Sequence, residues 1–219
     1  MKQVTMDDAA PTDPKERLVA FAERLMAERG PEVPLRDIAL AAGHRNNSAV
    51  QYYFGSREGL IDAVVDARFP ALEARRFELL ADHEAQGDAN DLRVLIACLA
   101  LPMLELPMTL GANHFCRFLE QVRNYPAVED GARLAGESRA SVRIVLSRLE
   151  RAVGHLPAPA RHRRLRWMST AMLAFLADHE RTVESGLVSA DDMGFLGELT
   201  DVLSGLLTAD SSVPSAPAC

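Results

Sequence analysis

Much of what marks an enzyme, a secreted protein or a membrane protein is missing from this chain. Cys98, Cys116 and Cys219 form an odd set without CxxC spacing, which argues against a disulfide framework. No run approaches the roughly eighteen apolar residues of a membrane span. The opening stretch MKQVTMDDAAPTD lacks the apolar core of a signal peptide. The chain is therefore expected in the cytoplasm, without membrane attachment. None of the six histidines has a glutamate three residues before it, so the Glu-x-x-His pairs of helical di-iron enzymes are absent. There is no His-Glu-x-x-His, no P-loop and no G-x-S-x-G. His83-Glu84 and Asp178-His179-Glu180 set imidazole beside carboxylate, but adjacent helical residues do not face each other. These absences point away from catalysis, metal binding and any cofactor.

What is present is ordinary soluble-protein material: 219 residues, 48% hydrophobic and 25% charged, with a net charge of −7. That length is enough to bury a core in one or two domains. Helical periodicity recurs along the chain and strand-like alternation does not persist, so the expected fold is all-α with about nine helices. Asp13-Pro14-Lys15-Glu16 has the form of a helix start, with Asp at the N-cap and Pro at N1. Leu18, Phe21, Ala22, Leu25 and Met26 then mark a buried face ending near Gly30. Ser56 can cap a helix that Pro70 is expected to kink or divide. Further helices are expected over Asp91–Leu106, interrupted at Pro102, and over His114–Asn124, capped by Asn113. Pro107–Gly111 reads as loop and Gly154–Pro159 as a breaker cluster. The last three helices are placed near Val128–Val153, Ala160–Ser185 and Ala190–Leu207. Residues 1–12 and 209–219 read as disordered tails.

The densest signal lies in Leu35 to Leu60, LRDIALAAGHRNNSAVQYYFGSREGL. Leu35, Ile38, Ala39 and Ala42 repeat as one face of a short helix. Gly43 follows where a helix end tolerates positive φ. Asn46, Asn47 and Ser48 offer N-cap chemistry to a second helix, whose inward residues are Ala49, Val50 and Phe54. Its other face carries Gln51, Tyr52 and Tyr53. Two short helices around a glycine turn make a helix-turn-helix, whose second helix enters the DNA major groove. Residues 30–57 hold Arg36, Arg45 and Arg57 against Glu32 and Asp37, mildly cationic on an acidic chain. Gln51 and Asn47 are the best-suited readers of base edges, because an amide matches adenine N6 and N7. Asn46 and Ser48 are further candidates, and Arg45 can take a phosphate. The competing reading makes Asn46, Asn47 and Ser48 plain caps and the aromatics plain core.

The QYYF aromatics, the GSREGL helix start and the IA…AG frame before them resemble the DNA-binding domain of TetR-family transcriptional regulators. The resemblance is specific over roughly residues 16–65. It implies that Tyr52, Tyr53 and Arg57 contact phosphates, with Arg57 where the family usually has lysine. The stretch HRNNSAVQ is one residue longer than the commonest family spacing. That leaves open which of Arg45, Asn46, Asn47 and Ser48 meets bases.

Such a small reading head requires a homodimer to span two half-sites of a pseudo-palindromic operator in double-stranded DNA. With the resemblance, the last two helices become the expected seam, through Leu165, Met168, Met172 and Leu176 on one and Phe195, Leu199 and Leu203 on the other. The resemblance also implies a pocket for a small-molecule effector. Met103, Met108, His114, Phe115, Phe118, Trp167 and Phe175 are its candidate lining, with Asn113 and His179 as polar anchors. The expected organisation is a helix-turn-helix domain at 13–60 and a helical ligand-binding and dimerisation domain at 61–208. The expected function is a ligand-released repressor. The alternative is a helical ligand-binding or adaptor protein whose helix-turn-helix no longer reads DNA.

Overall fold

The computed structural model describes residues 13–45, 48–110, 113–125, 139–189 and 192–210. These form nine α-helices and no strand, in accord with the all-α expectation. In chain order they are α1 (Pro14–Arg29), α2 (Leu35–Ala41), α3 (Ser48–Phe54), α4 (Arg57–Gln86), α5 (Leu92–Leu110), α6 (Phe115–Val122), α7 (Ala140–Ala152), α8 (Ala158–Glu184) and α9 (Met193–Thr208). The predicted tail residues 1–12, the turn residues Asn46 and Asn47 and the start of the helix predicted from Val128 lie outside the described residues.

Local chemistry sets the first boundaries. The Asp13 side chain accepts from the Lys15 N–H at 3.0 Å and Pro14 opens α1. Gly30, at φ +87°, ends it. Leu18, Ala22 and Met26 recur every four residues and are fully buried. Ser56 caps α4 through a bond from the Gly59 N–H at 3.1 Å.

Two helices run on through prolines, Pro70 expected to kink or divide its helix and Pro102 to interrupt its own. α4 is continuous through Pro70, where the ring is exposed and so is Asp66, whose carbonyl loses its helical donor to the proline. On the exposed side of the helix such a carbonyl can bond to solvent instead. At Pro102 the same vacancy falls in the core, on the Cys98 carbonyl. There Arg76 of α4 donates its Nε–H to Cys98 O at 3.1 Å in place of the missing amide. Arg76 is itself buried, held by Glu73 and by Ser141 Oγ at 3.0 Å. α5 also runs through Pro107 and reaches Leu110, well into the predicted loop. α8 likewise starts inside the predicted breaker cluster, because Pro159 sits in its first turn, where no amide is needed.

One continuous cluster of buried apolar residues extends from Leu18 to Leu207. α5 lies at its centre, against α4, α7, α8 and α9. Phe115 and Phe118 of α6 are fully buried, each contributing about 2 kcal/mol of apolar burial. α6 packs on α1 on one side and α8 on the other, so it joins the N-terminal helices to the C-terminal ones.

Candidate nucleic-acid interface and internal cavity

α2 and α3 meet around Gly43, which takes φ +84° and donates to Leu40 O at 3.0 Å, while His44 N–H reaches Ala39 O at 2.8 Å. Arg17 of α1 ties down the same turn through Ala42 O at 3.3 Å. Val50 is fully buried beneath α3, with Ala49 and Phe54 partly so. With that face spent on the core, Ser48, Gln51 and Tyr52 point outward. Tyr52 is 82% exposed, and its ring packs edge-on against Tyr53 at 4.9 Å rather than on the core.

Arg45, Ser48, Gln51, Tyr52 and Tyr53 come together, with His44 and Ala49, around one open depression of about 670 Å³. His44 had no role in the sequence reading; its Nε2 is buried there with no hydrogen-bond partner among the described residues. Arg57 lies apart from that depression. Its Nη1 donates to Val33 O at 2.8 Å and also to Pro31 O, so the first turn of α4 clamps the loop between α1 and α2. Asp37 of α2 pairs with Arg29 of α1 at 2.8 Å. The outward face of α3 thus stands on a braced platform.

A second concavity, of about 380 Å³, lies between α5, α6 and α8. Met103 and His114 line it, as do Asn113 and His179. Phe115 and Phe118 sit in the core, and Trp167 and Phe175 are on the outer surface, 50% and 42% exposed. The Met108 side chain lies outside the described residues. The sequence reading missed Leu104, Pro107, Glu180, Val183 and Glu184 as lining. For the three on α8 the only signal was the spacing His179-Glu180-x-x-Val183-Glu184 on one helix face, which a solvated helix also displays.

Glu180 organises the wall. Its carboxylate accepts from the Cys116 N–H at 2.8 Å and the Arg117 N–H at 2.9 Å. It thereby caps α6 from a helix some sixty residues later, where the sequence suggested Asn113. Burial pushes its carboxyl up to about 7, against the pull of those bonds and of Arg117. Burial also holds His114 and His179 below the usual imidazole range and the Cys116 thiol well above its own. Arg117 pairs with Glu184 at 2.6 Å and meets His114 Nδ1. The reverse side of His114 touches the N-terminal helices: its backbone amide bonds the buried Glu23 of α1, which also pairs with Arg68 of α4 at 2.9 Å. Beyond the far end of α6, Tyr125 donates to Glu32 in the α1–α2 loop at 2.6 Å. α6 is therefore a strut, with the cavity at one end and the helix-turn-helix platform at the other.

The family model described as "Tetracyclin repressor-like, C-terminal domain" matches residues 97–205, the span from α5 into α9 that encloses this cavity. The chain belongs to the TetR family. No curated protein matches it. Among solved structures, a Rhodococcus sp. chain assigned to the TetR-family transcriptional regulators is similar over 89% of this chain and 98% of its own. Its identity is 15% and its TM-score 0.45, too loose a likeness to bear on what this TetR-family chain binds. Among the described residues, no group of His, Cys, Asp and Glu is placed to hold a metal ion. No helix among them is long and apolar enough to cross a membrane.

Proposed function

We propose that this TetR-family chain is a homodimeric, sequence-specific transcriptional regulator of the cytoplasm, a repressor that a small, largely apolar ligand releases from a pseudo-palindromic operator. The observation that carries the reading is the exposed polar face of α3 on its braced platform. Gln51 and Asn47 are assigned to base edges, with Asn46 and Ser48 beside them. Tyr52, Tyr53, Arg45 and Arg57 are assigned to phosphates, Arg57 with its fork already held by the α1–α2 loop. Residues 13–60 serve as the reading head and 61–208 as the effector and dimerisation part. A ligand in the cavity presses on the His114 end of α6, and the strut passes a shift to Glu23 and Glu32. Release then requires that the ligand favour the displaced arrangement over the DNA-bound one.

For the dimer, the apolar residues picked out in the sequence prove to be occupied. Met168, Met172, Leu176, Leu199 and Leu203 are buried in the core of their own chain. α8 and α9 run antiparallel, since Arg164 bonds Leu207 O at 2.8 Å while His179 stacks on Phe195 at 4.0 Å. That pairing aligns exposed Trp167 and Phe175 on α8 with exposed Val202 on α9, beside half-buried Ala171, Phe195 and Leu206. We assign this outer stripe to a second copy of the chain, with Leu165 at its margin.

Selection of bound duplexes from a random DNA pool tests the function. The expected result is an inverted repeat whose half-sites lie about one helical turn apart or more. An unenriched pool would favour a ligand-binding module with no DNA target.

A further inference from the structure

The cavity has a charge pattern that the overall composition hides. One side is hydrocarbon: Met103, Leu104 and Pro107 of α5, with Val183 of α8. The other carries Asn113, His114, Cys116, His179, Glu180 and Glu184, and among the described residues no lysine or arginine lines it. One guanidinium, Arg117, is buried behind the wall and shared between Glu184 at 2.6 Å and Glu180 at 3.7 Å, so two carboxylates stand against one cation. Glu180 and Glu184 are four residues apart on α8, so both carboxylates share the face turned to the cavity. Glu180 sits in the wall, while Glu184 is at the rim with its side chain 54% exposed. Burial disfavours the charged form of both imidazoles, and the His114 Nδ1 lone pair already accepts from Arg117.

We infer that the cavity takes an amphipathic amine, a compact apolar body with one protonated nitrogen seated between Glu180 and Glu184. The hydrocarbon side receives the body. The nitrogen finds acceptors in the two carboxylates, in surroundings where charge-assisted bonds are strong. A ligand carboxylate would face Glu180 and Glu184 with only Arg117, already shared between them, to offset the repulsion, and a neutral alcohol would leave the charge unused. The volume, about 380 Å³, is at the small end of ligand sites and confines the body to a compact one. The inference rests on the effector reading above only for its consequence at DNA, not for the binding itself.

Calorimetric titration of the full-length chain at about pH 7.5 with naphthylmethylamine, naphthylmethanol and naphthoate tests it, since the three share a body and differ in head charge. The amine is expected to bind at least about tenfold more tightly than the alcohol, with naphthoate weakest. Glu184→Gln lies at the rim, outside the α6 cap, and is expected to cut the preference to within about threefold. Glu180→Gln, checked for helix content by circular dichroism, is expected to do the same. The inference is overturned if the amine gives no binding, if the alcohol or naphthoate binds as tightly, or if the preference survives both substitutions. An amine that binds with the predicted preference yet leaves operator affinity unchanged upholds the ligand class and refutes the release mechanism.

Discussion

At Gly59 a single hydrogen atom decides whether α3 and α4 can meet. A Cβ built there would lie 2.1 Å from the Phe54 carbonyl oxygen, a backbone atom that cannot move aside. Gly59→Ala is expected to cost about 2–3 kcal/mol and to lower the melting temperature by several degrees. An unchanged melt would show that the junction is looser than described. On the exposed face the expected effects separate by role. Gln51→Ala should relax preference at one base position of each half-site, while Arg45→Ala should weaken all sequences alike and flatten the salt slope by about one. A selected-site profile unchanged by Gln51→Ala would refute the base-contact assignment. Residues such as Gly43, Gly30 and Ser56 were legible in the sequence because a turn or cap is local chemistry, written within four residues of itself. That the Tyr52 ring packs edge-on against Tyr53 rather than on the core was not, since a helix-face pattern does not say how far a small core extends toward its edge.

Among the elements, α6 has the most to transmit. Its N-terminus is capped by Glu180, its start is bonded to Glu23, and the turn after it is bonded to Glu32. Glu23→Gln is expected to preserve ligand binding while reducing the change in operator affinity that ligand causes, a loss of coupling rather than of affinity. Full coupling in that variant would place the relay elsewhere. Glu180 also sets a pH dependence. Its carboxyl titrates at about 7 in the fold against 4.5 when free, so the folded chain keeps a proton that the unfolded chain has shed. Stability should therefore fall as pH rises between those values, and Glu180→Gln should flatten that slope in denaturant melts. Arg76 carries the other long-range repair. Replacing it with Met leaves the buried Glu73 with its Ser141 hydrogen bonds but no cation, and the Cys98 carbonyl without its donor, at an expected cost of about 3–5 kcal/mol. These elements explain where the sequence reading stopped. Pro102 looks like a helix breaker until Arg76, twenty-six residues earlier, supplies the missing donor. Glu180 looks like a solvated residue until α6 is folded against it.

For the whole molecule, the all-α class and the order of helices followed from periodicity alone, but the assignment of surfaces did not. Met168, Met172 and Leu176 form an apolar stripe that equally suits a core or a seam, and only folding shows that α8 spends it internally. The stripe left outside, with Trp167, Phe175 and Val202, is the one available to a second copy. Trp167→Glu is expected to give a folded monomer by sedimentation, with operator affinity reduced at least about a hundredfold because each half-site is then bound singly. A stable dimer in that variant would move the seam to another face. The central claim is that α3 reads DNA sequence, and the most direct measurement is the affinity of the dimer for its selected duplex against a scrambled duplex of equal length, at about 150 mM salt. The account predicts that the selected duplex binds at least about a thousandfold more tightly. Equal affinity for the two would contradict it.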